Sequence, residues 1–206
     1  MKKRLLSILL SLVMLLSLLP TTALAAAYYS VGVNGIELRD GYYLESNDSA
    51  SAKINATTAP TTYVAWYKDG VLTLKNFTGK ANNSIKVLGA AEGDLTIKLI
   101  GDNTITAYET GIQGISAAGS ITITADNGSN GTLTINVANS DRPVFGINGY
   151  ANSVTISGSA DVKIIAEATA TNRESYGIKS SKAVSILDSA SVSITCKTPN
   201  STSRSD

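Results

Sequence analysis

One short phrase of alternating apolar and polar residues returns four times along the chain. Its copies begin at Leu95, Ile121, Val154 and Val184, so their starts are 26, 33 and 30 residues apart (95 to 121, 121 to 154, 154 to 184). Each copy is typical of a short strand with one buried face. A return of this kind indicates a solenoid, in which each unit buries its apolar face against its neighbours.

The repeat also indicates how the strands pack. Each phrase precedes a second strand, and the first three copies also precede a third, which is marked by Gly111-Ile112, Gly146-Ile147 or Gly177-Ile178. The sequence therefore predicts an all-β fold, a right-handed parallel β-helix with three strands per rung. The predicted inward columns are Leu95/Ile121/Val154/Val184, Ile97/Ile123/Ile156/Ile186, Ile105/Leu133/Val162/Val192 and Ile112/Ile147/Ile178. An antiparallel sandwich is the alternative, although it does not require one strand order to return.

The segments on either side of the repeats have different patterns. Residues 26–70 are predicted to form an N-terminal β-hairpin cap, because Asn34-Gly35 and Asp69-Gly70 are typical hairpin turns. Such a cap would cover the open sheet edge at which a solenoid begins. Residues 71–196 are predicted to form the rungs. Residues 197–206 are predicted to be a polar tail after an incomplete rung, as in a shortened chain whose longer form carries further repeats or domains.

The first 25 residues are typical of a secretory signal peptide. A basic start at Lys2, Lys3 and Arg4 precedes the apolar run from Leu5 to Leu19, and Ala23-Leu24-Ala25 follows as a cleavage site. The sequence therefore predicts a secreted or extracellular protein, which the cell surface could also display. No second apolar run follows, so no membrane partner is expected after cleavage.

Composition excludes several classes of chemistry. The chain has no His and one Cys, which removes Ser-His-Asp and Cys-His catalysis, His-ligated zinc and an internal disulfide. Without the first 25 residues, Lys+Arg falls from 17 to 14 and Asp+Glu stays at 16. No basic stripe is left, so nucleic acid is not an expected partner.

Three segments carry a family resemblance: Gly32-Val-Asn-Gly-Ile-Glu-Leu38, Lys68-Asp-Gly-Val-Leu-Thr-Leu-Lys-Asn76 and Asp94-Leu-Thr-Ile-Lys-Leu-Ile-Gly-Asp-Asn-Thr-Ile-Thr106. Together with Gly131-Thr-Leu-Thr-Ile135, they resemble a family of secreted bacterial surface proteins with pectate-lyase-like parallel β-helix repeats. Members are often labelled carbohydrate-binding domain-containing proteins. The resemblance covers roughly the whole mature chain, and it implies a polysaccharide or cell-wall glycan as partner.

Acidic residues recur between the first and second strands of successive rungs. Stacking could bring Asp102, Asp126, Asp161 and Asp188 together, and clustered carboxylates could hold calcium. Their offsets from the strand starts differ, however, and Asp is a common turn residue. The sequence therefore favours turns over a calcium site, and no cofactor is expected.

The loops between the second and third strands hold the candidate ligand-binding residues. Charged and aromatic side chains recur there, which suits recognition of an acidic sugar, although solvated loop charges would look the same. The candidates are Tyr108, Glu109, Asp141, Arg142, Arg173 and Glu174, together with Tyr150 in a later loop. No pair among them has a spacing that requires a catalytic role.

Four further residues are interpreted as core. Phe145 and Tyr176 lie two positions before an inward Ile, which predicts that they also point inward. Trp66 at a hairpin is predicted to belong to the core of the cap. Cys196 lies two residues after Ile194, as small apolar residues do in earlier rungs, so it is predicted to be buried.

The sequence thus predicts a secreted, non-catalytic β-helix module that binds carbohydrate. One alternative is a pectate-lyase-like enzyme acting on acidic polysaccharide, which would require acidic and basic side chains in register beside a groove. The other is a purely structural adhesin or spacer module.

Overall fold

A computed structural model describes residues 30–54, 58–80, 86–108, 113–126, 128–150, 152–171 and 173–199. The predicted signal peptide and residues 200–206 of the predicted tail therefore lie outside the described residues. Within those ranges the fold is all-β. No helix in them is long and apolar enough to cross a membrane.

The strands fall into an N-terminal group and a repeating group. The first group is β1 (Val31–Val33), β2 (Ile36–Leu38), β3 (Tyr42–Leu44), β4 (Lys53–Ile54), β5 (Ala65–Lys68), β6 (Val71–Lys75), β7 (Thr78–Lys80) and β8 (Lys86–Ala90). The second group is β9 (Leu95–Ala107), β10 (Gln113–Ala117), β11 (Ile121–Ala125), β12 (Gly131–Asn139), β13 (Val144–Asn148), β14 (Val154–Gly158), β15 (Ala160–Ala168), β16 (Ser175–Lys179), β17 (Val184–Ile186) and β18 (Ser191–Lys197).

Parallel pairing stacks these strands into a β-solenoid of about four turns, as the repeat predicts. In the first sheet the order is β6, β9, β11, β14 and β17. The second sheet contains the second half of β9, then β12, β15 and β18. The third sheet contains β8, β10, β13 and β16. Strand β9 runs through two of the predicted strands and turns from the first sheet to the second at Gly101, whose φ is +65°.

The first sheet has the predicted register. Leu95, Ile121, Val154 and Val184 pair in one column, and the column that begins with Ile97 is also confirmed. Buried apolar residues alternate with half-buried polar ones on these strands, so like side chains stack along the core. Repetition of one phrase is therefore enough to set this sheet's pairing.

Two predicted columns are wrong in part. Ile105 pairs with Ile135, and the residue opposite Leu133 is Asn103, which is fully buried. In the third sheet the partner of Ile147 is Ile115, whereas the predicted Ile112 lies outside the described residues. The pair that marks this strand is accordingly Gly114-Ile115.

Antiparallel hairpins cover the N-terminal edges of two sheets. Strands β1 and β2 form a hairpin whose turn is Asn34-Gly35, and β1 pairs with β8 at the edge of the third sheet. Strands β5 and β6 form the hairpin with the Asp69-Gly70 turn, at the edge of the first sheet. All four turn residues have positive φ, from 50° to 79°, which suits the tight turns that Asn-Gly and Asp-Gly favour.

The opposite end of the solenoid exposes its apolar columns. Val154 and Ile156 are fully buried, whereas Val184 and Ile186 in the next turn are 47% and 52% exposed. Cys196 pairs with the buried Ala166, so its column was predicted correctly, yet it is exposed and the prediction that it is buried is wrong. In the described residues no further turn stacks on β16, β17 and β18, so nothing covers these inward positions.

Candidate functional site

Two aromatic rings lie on the outer face of the third sheet. Phe145 on β13 pairs with Tyr176 on β16, and both side chains are only half-buried. The prediction that they belong to the core is therefore wrong. The cause is the glycine that follows each of them. A Cβ on Gly146 would lie 2.3 Å from Ile164 Cγ2, so Gly146 is the inward residue and its neighbour Phe145 points outward.

The alternation of faces breaks immediately after that glycine. Gly146 and Ile147 are consecutive and both buried, so counting two residues back from Ile147 gives the wrong face for Phe145. The equivalent glycine in the next turn, Gly177, packs on Ile194 in the same way, at 2.2 Å from a built Cβ. The repeated aromatic before Gly-Ile is therefore an outward position.

The two rings form a short ladder with a cation beside it. Their centroids are 5.2 Å apart and their planes differ by 4°, which is a stacked arrangement. The Lys179 ammonium lies 5.0 Å from both centroids, within the range of cation–π attraction. We call Phe145, Tyr176 and Lys179 the aromatic ladder.

A carboxylate fixes the outer ring. The Tyr176 hydroxyl donates a hydrogen bond of 2.6 Å to Glu174 Oε2. This hydrogen bond raises the pKa of the Tyr176 phenol, because it stabilises the protonated form. The phenol therefore stays protonated at neutral pH, and Glu174 holds the ring beside Phe145.

Four of the predicted site residues lie at two stacked corners that lead into this face. Asp141 and Arg142 precede β13, and Arg173 and Glu174 precede β16 one turn later; all four are exposed. The two corners are joined directly, since the Val144 amide donates to the Glu174 carbonyl at 3.0 Å. Sequence reasoning thus found the charged half of this surface and missed its aromatic half.

A buried asparagine shapes the first of these corners. Asn139 ends β12, and its side-chain oxygen accepts hydrogen bonds from the backbone amides of Asp141 and Arg142 at 2.8 and 3.0 Å. Such an Asx turn bends the chain from the second sheet into the third. The charged side chains of Asp141 and Arg142 are left facing solvent.

Of the remaining predicted site residues that the structure describes, only Tyr108 lies at this edge of the solenoid. Tyr108 is exposed and follows β9 at the same corner one turn earlier, next to Ala107, which pairs with Val137. Glu109 lies outside the described residues. Tyr150 is 71% exposed but follows the far end of β13, so the length of the strand separates it from Arg142.

The predicted turn acids are held by protein groups. Asp102 accepts a hydrogen bond from Thr132 at 2.9 Å, and Asp161 accepts one from Ser191 at 2.5 Å. Asp126 pairs with Lys98 at 2.7 Å. Asp102 and Asp161 line one shallow cavity of about 400 Å³. They flank Thr132 on two different strands, which places them roughly 10 Å apart, too far for one calcium ion.

The described part of the chain contains no group of three or more acidic or thiol side chains placed to hold a metal ion. Asp188, the fourth turn acid, accepts a hydrogen bond from the Gly158 amide at 3.0 Å. The acids of this region therefore act in turns and ladders.

A second aromatic group lies on the outer face of the first sheet. Trp66 alternates with the buried Ala65 and Tyr67, so it points away from the core, and the prediction that it is core is wrong. The rings of Tyr63 and Trp66 make an edge contact at 6.1 Å, and Lys75 lies 5.4 Å from the Tyr63 ring. Tyr63 and Trp66 are half-buried, as the two rings of the aromatic ladder are.

Comparison with protein-family models, with curated proteins and with solved structures finds no match to this chain. The function must therefore be argued from the outer surface itself.

Proposed function

We propose that this chain is a secreted, non-catalytic β-helix module that binds glycan at the aromatic ladder and its charged corner. The observation that carries the proposal is the stacked pair Phe145 and Tyr176 on an outer face, with Lys179 beside both rings. Aromatic rings offer flat apolar surface to the faces of sugars, and adjacent polar groups orient the hydroxyls. The resemblance to carbohydrate-binding surface proteins supports the same reading.

The finer architecture belongs to this proposal as well. We infer right-handed winding with three strands per turn, because crossovers between parallel strands of one sheet are right-handed in nearly all proteins. This arrangement carries the chain from the second sheet to the third at every turn. It would stack the charged corners on one edge of the solenoid, beside the aromatic ladder.

The chemistry of the corner favours an acidic glycan. Lys179 lies beside both rings, and Arg142 and Arg173 each precede a ring by three residues. Glu174 already has a partner in the Tyr176 hydroxyl. Arginine binds carboxylates in a planar, two-point geometry, which suits a uronic acid. Within this surface, Glu174 acts as a positioning group for Tyr176.

The test is a glycan array that includes neutral and uronate polymers, followed by titration calorimetry on the best ligand. We expect Tyr176→Ala to weaken binding by at least about tenfold, since it removes an aromatic contact with its ordered partner. Tyr150→Ala is the matched control, because Tyr150 is exposed and lies away from the ladder. Equal loss in both variants, or none in Tyr176→Ala, would contradict the proposal.

The alternatives give different outcomes in the same experiment. Release of unsaturated products from polygalacturonate in the presence of calcium would show that the chain is a lyase and not a binding module. Failure to bind any glycan would favour the structural spacer. Secretion is tested separately, by N-terminal sequencing of the exported protein, which should begin at Ala26.

A further inference from the structure

The second aromatic group, on the outer face of the first sheet, repeats the parts of the aromatic ladder. Its rings, Tyr63 and Trp66, have centroids 6.1 Å apart, and the Lys75 ammonium lies 5.4 Å from one of them. In the ladder the centroids are 5.2 Å apart and the ammonium lies at 5.0 Å. Two different sheets thus carry the same combination of aromatic surface and positive charge. We call Tyr63, Trp66 and Lys75 the tryptophan patch.

The strand register places the Trp66 ring over the sheet. Trp66 on β5 lies directly opposite Thr73 on β6. Thr73 alternates with the fully buried Leu72 and Leu74, so it points outward, yet it is only 7% exposed. Residues opposite each other in an antiparallel pair have Cβ atoms about 4.5–5.5 Å apart, so the indole is well placed to cover Thr73. A ring that covers the sheet turns its other face to solvent, which is the orientation that stacking on a sugar requires.

The indole nitrogen of Trp66 lacks a hydrogen-bond partner. Nε1 is buried, and no described residue accepts a hydrogen bond from it. A buried donor without an acceptor costs about 1–3 kcal/mol, and a buried tryptophan usually finds one. A bound molecule with oxygen atoms at the edge of the ring would satisfy this donor after a small rotation of the indole. Sugars carry such oxygens, so the unpartnered N–H indicates a ligand.

The charge of the tryptophan patch favours an acidic ligand. Lys75 has no carboxylate within ion-pair distance among the described residues, whereas the nearby Lys98 pairs with Asp126 at 2.7 Å. The Lys75 ammonium is therefore available to a carboxylate of the ligand. Burial raises the pKa of the Tyr63 phenol, so its hydroxyl stays protonated and can donate a hydrogen bond to the same ligand.

We propose that the tryptophan patch is a second site for acidic glycan, so that one chain holds two glycan strands. The inference rests on the proposed function, because the aromatic ladder defines the class of ligand. The patch lies on the first sheet and the ladder on the third, and the outer faces of two sheets around one core point in different directions. One sugar unit therefore cannot contact both sites. The module would join separate strands of a polysaccharide and hold them more firmly than either site alone.

Tryptophan fluorescence reports on this site, because Trp66 is the only Trp in the chain. Titration with an oligogalacturonate should shift the emission, and the shift should persist in Tyr176→Ala, which lacks the ladder. Tyr63→Ala and Lys75→Gln should each raise the dissociation constant read from this emission at least about tenfold. Lys163→Gln is the matched control, because Lys163 is exposed on the second sheet. An unchanged emission in the wild type, or equal effects of the two lysine variants, would overturn the proposal.

Titration calorimetry with the same oligogalacturonate separates this inference from the proposed function. We expect two oligosaccharides per wild-type chain, and one for either Tyr63→Ala or Tyr176→Ala. A single site that is lost in Tyr176→Ala and kept in Tyr63→Ala would refute the second site and leave the proposed function intact. No binding at all would refute both. Emission that changes with protein concentration alone would show that a second copy of the chain covers the patch, which also contradicts the proposal.

Discussion

Asn103 occupies an inward position at which the next three turns place Leu133, Val162 and Val192. Its side-chain oxygen accepts a hydrogen bond of 2.9 Å from the Phe77 amide. Its side-chain nitrogen donates to three carbonyls, of Ile100, Gly101 and Thr132. A buried polar residue with all its groups satisfied can replace an apolar one without loss, and here it joins the first turn to the segment before it.

Replacing Asn103 by Leu would make the repeat more regular, yet we expect it to destabilise the fold by about 1–3 kcal/mol, because the Phe77 amide and three carbonyls would lose a buried partner. The measurement is the midpoint of urea unfolding. Thr104→Val on the outward side of the same strand is the control, with an expected change within about 0.5 kcal/mol. A stabilised Asn103→Leu variant would mean that apolar stacking outweighs these hydrogen bonds.

Asp40 is likewise a polar residue held by hydrogen bonds, in the hairpin that covers the first sheet. Its two carboxylate oxygens accept hydrogen bonds from Lys68 Nζ at 2.5 Å and from the Asp69 amide at 2.6 Å, at the start of the Asp69-Gly70 turn. Partial burial raises the pKa of Asp40, but these hydrogen bonds outweigh it and hold the pKa below its ordinary value of 3.8. The charged form of Asp40 therefore stabilises the element formed by β5 and β6.

The lowered pKa of Asp40 determines how the free energy of unfolding changes with pH. The stabilisation from Asp40 is present above its ordinary pKa and is lost as the pH falls through the lowered value. Asp40→Asn should cost about 1 kcal/mol at neutral pH, a modest figure because the pair is partly exposed to solvent. Between about pH 5 and pH 2 the variant should lose less stability than the wild type. Parallel unfolding curves for the two proteins over this range would contradict the assignment.

At the scale of elements, the sequence predicted most where one pattern recurs unchanged. The first sheet could be aligned by its phrase alone, and both hairpins by their turn residues. The third sheet could not, because Gly111-Ile112 and Gly114-Ile115 are equally good matches three residues apart, and only pairing with Ile147 distinguishes them. The outward direction of Phe145 was missed for a related reason, since Gly146 and Ile147 are buried in succession.

At the scale of the whole molecule, burial depends on having a neighbour on each side. Cys196 and Val184 occupy inward columns, as their positions in the repeat predict, yet both are exposed because the turn that holds them is the last one described. A periodic pattern specifies which face a residue is on, whereas exposure also depends on what lies above it. In a solenoid, stability is accordingly a sum of turns and of the contacts between them.

Two substitutions in one column measure this dependence. Ile156→Ala should cost about 2–5 kcal/mol, because Ile156 is fully buried between turns. Ile186→Ala, one turn later and half exposed, should cost under about 1 kcal/mol. Urea unfolding of both variants provides the comparison. Similar costs would show that the last described turn is covered in solution.

The constant register of the first sheet also gives the solenoid a row of evenly spaced outward positions. The outward residues Thr96, Thr122, Thr155 and Ser185 pair one after another, although the segments between them differ in length. The corners absorb those differences, and the strands keep their spacing of about 4.8 Å. Labels attached to these four positions would therefore stand in a straight row at equal steps, and a peptide grafted into a corner would leave the row unchanged.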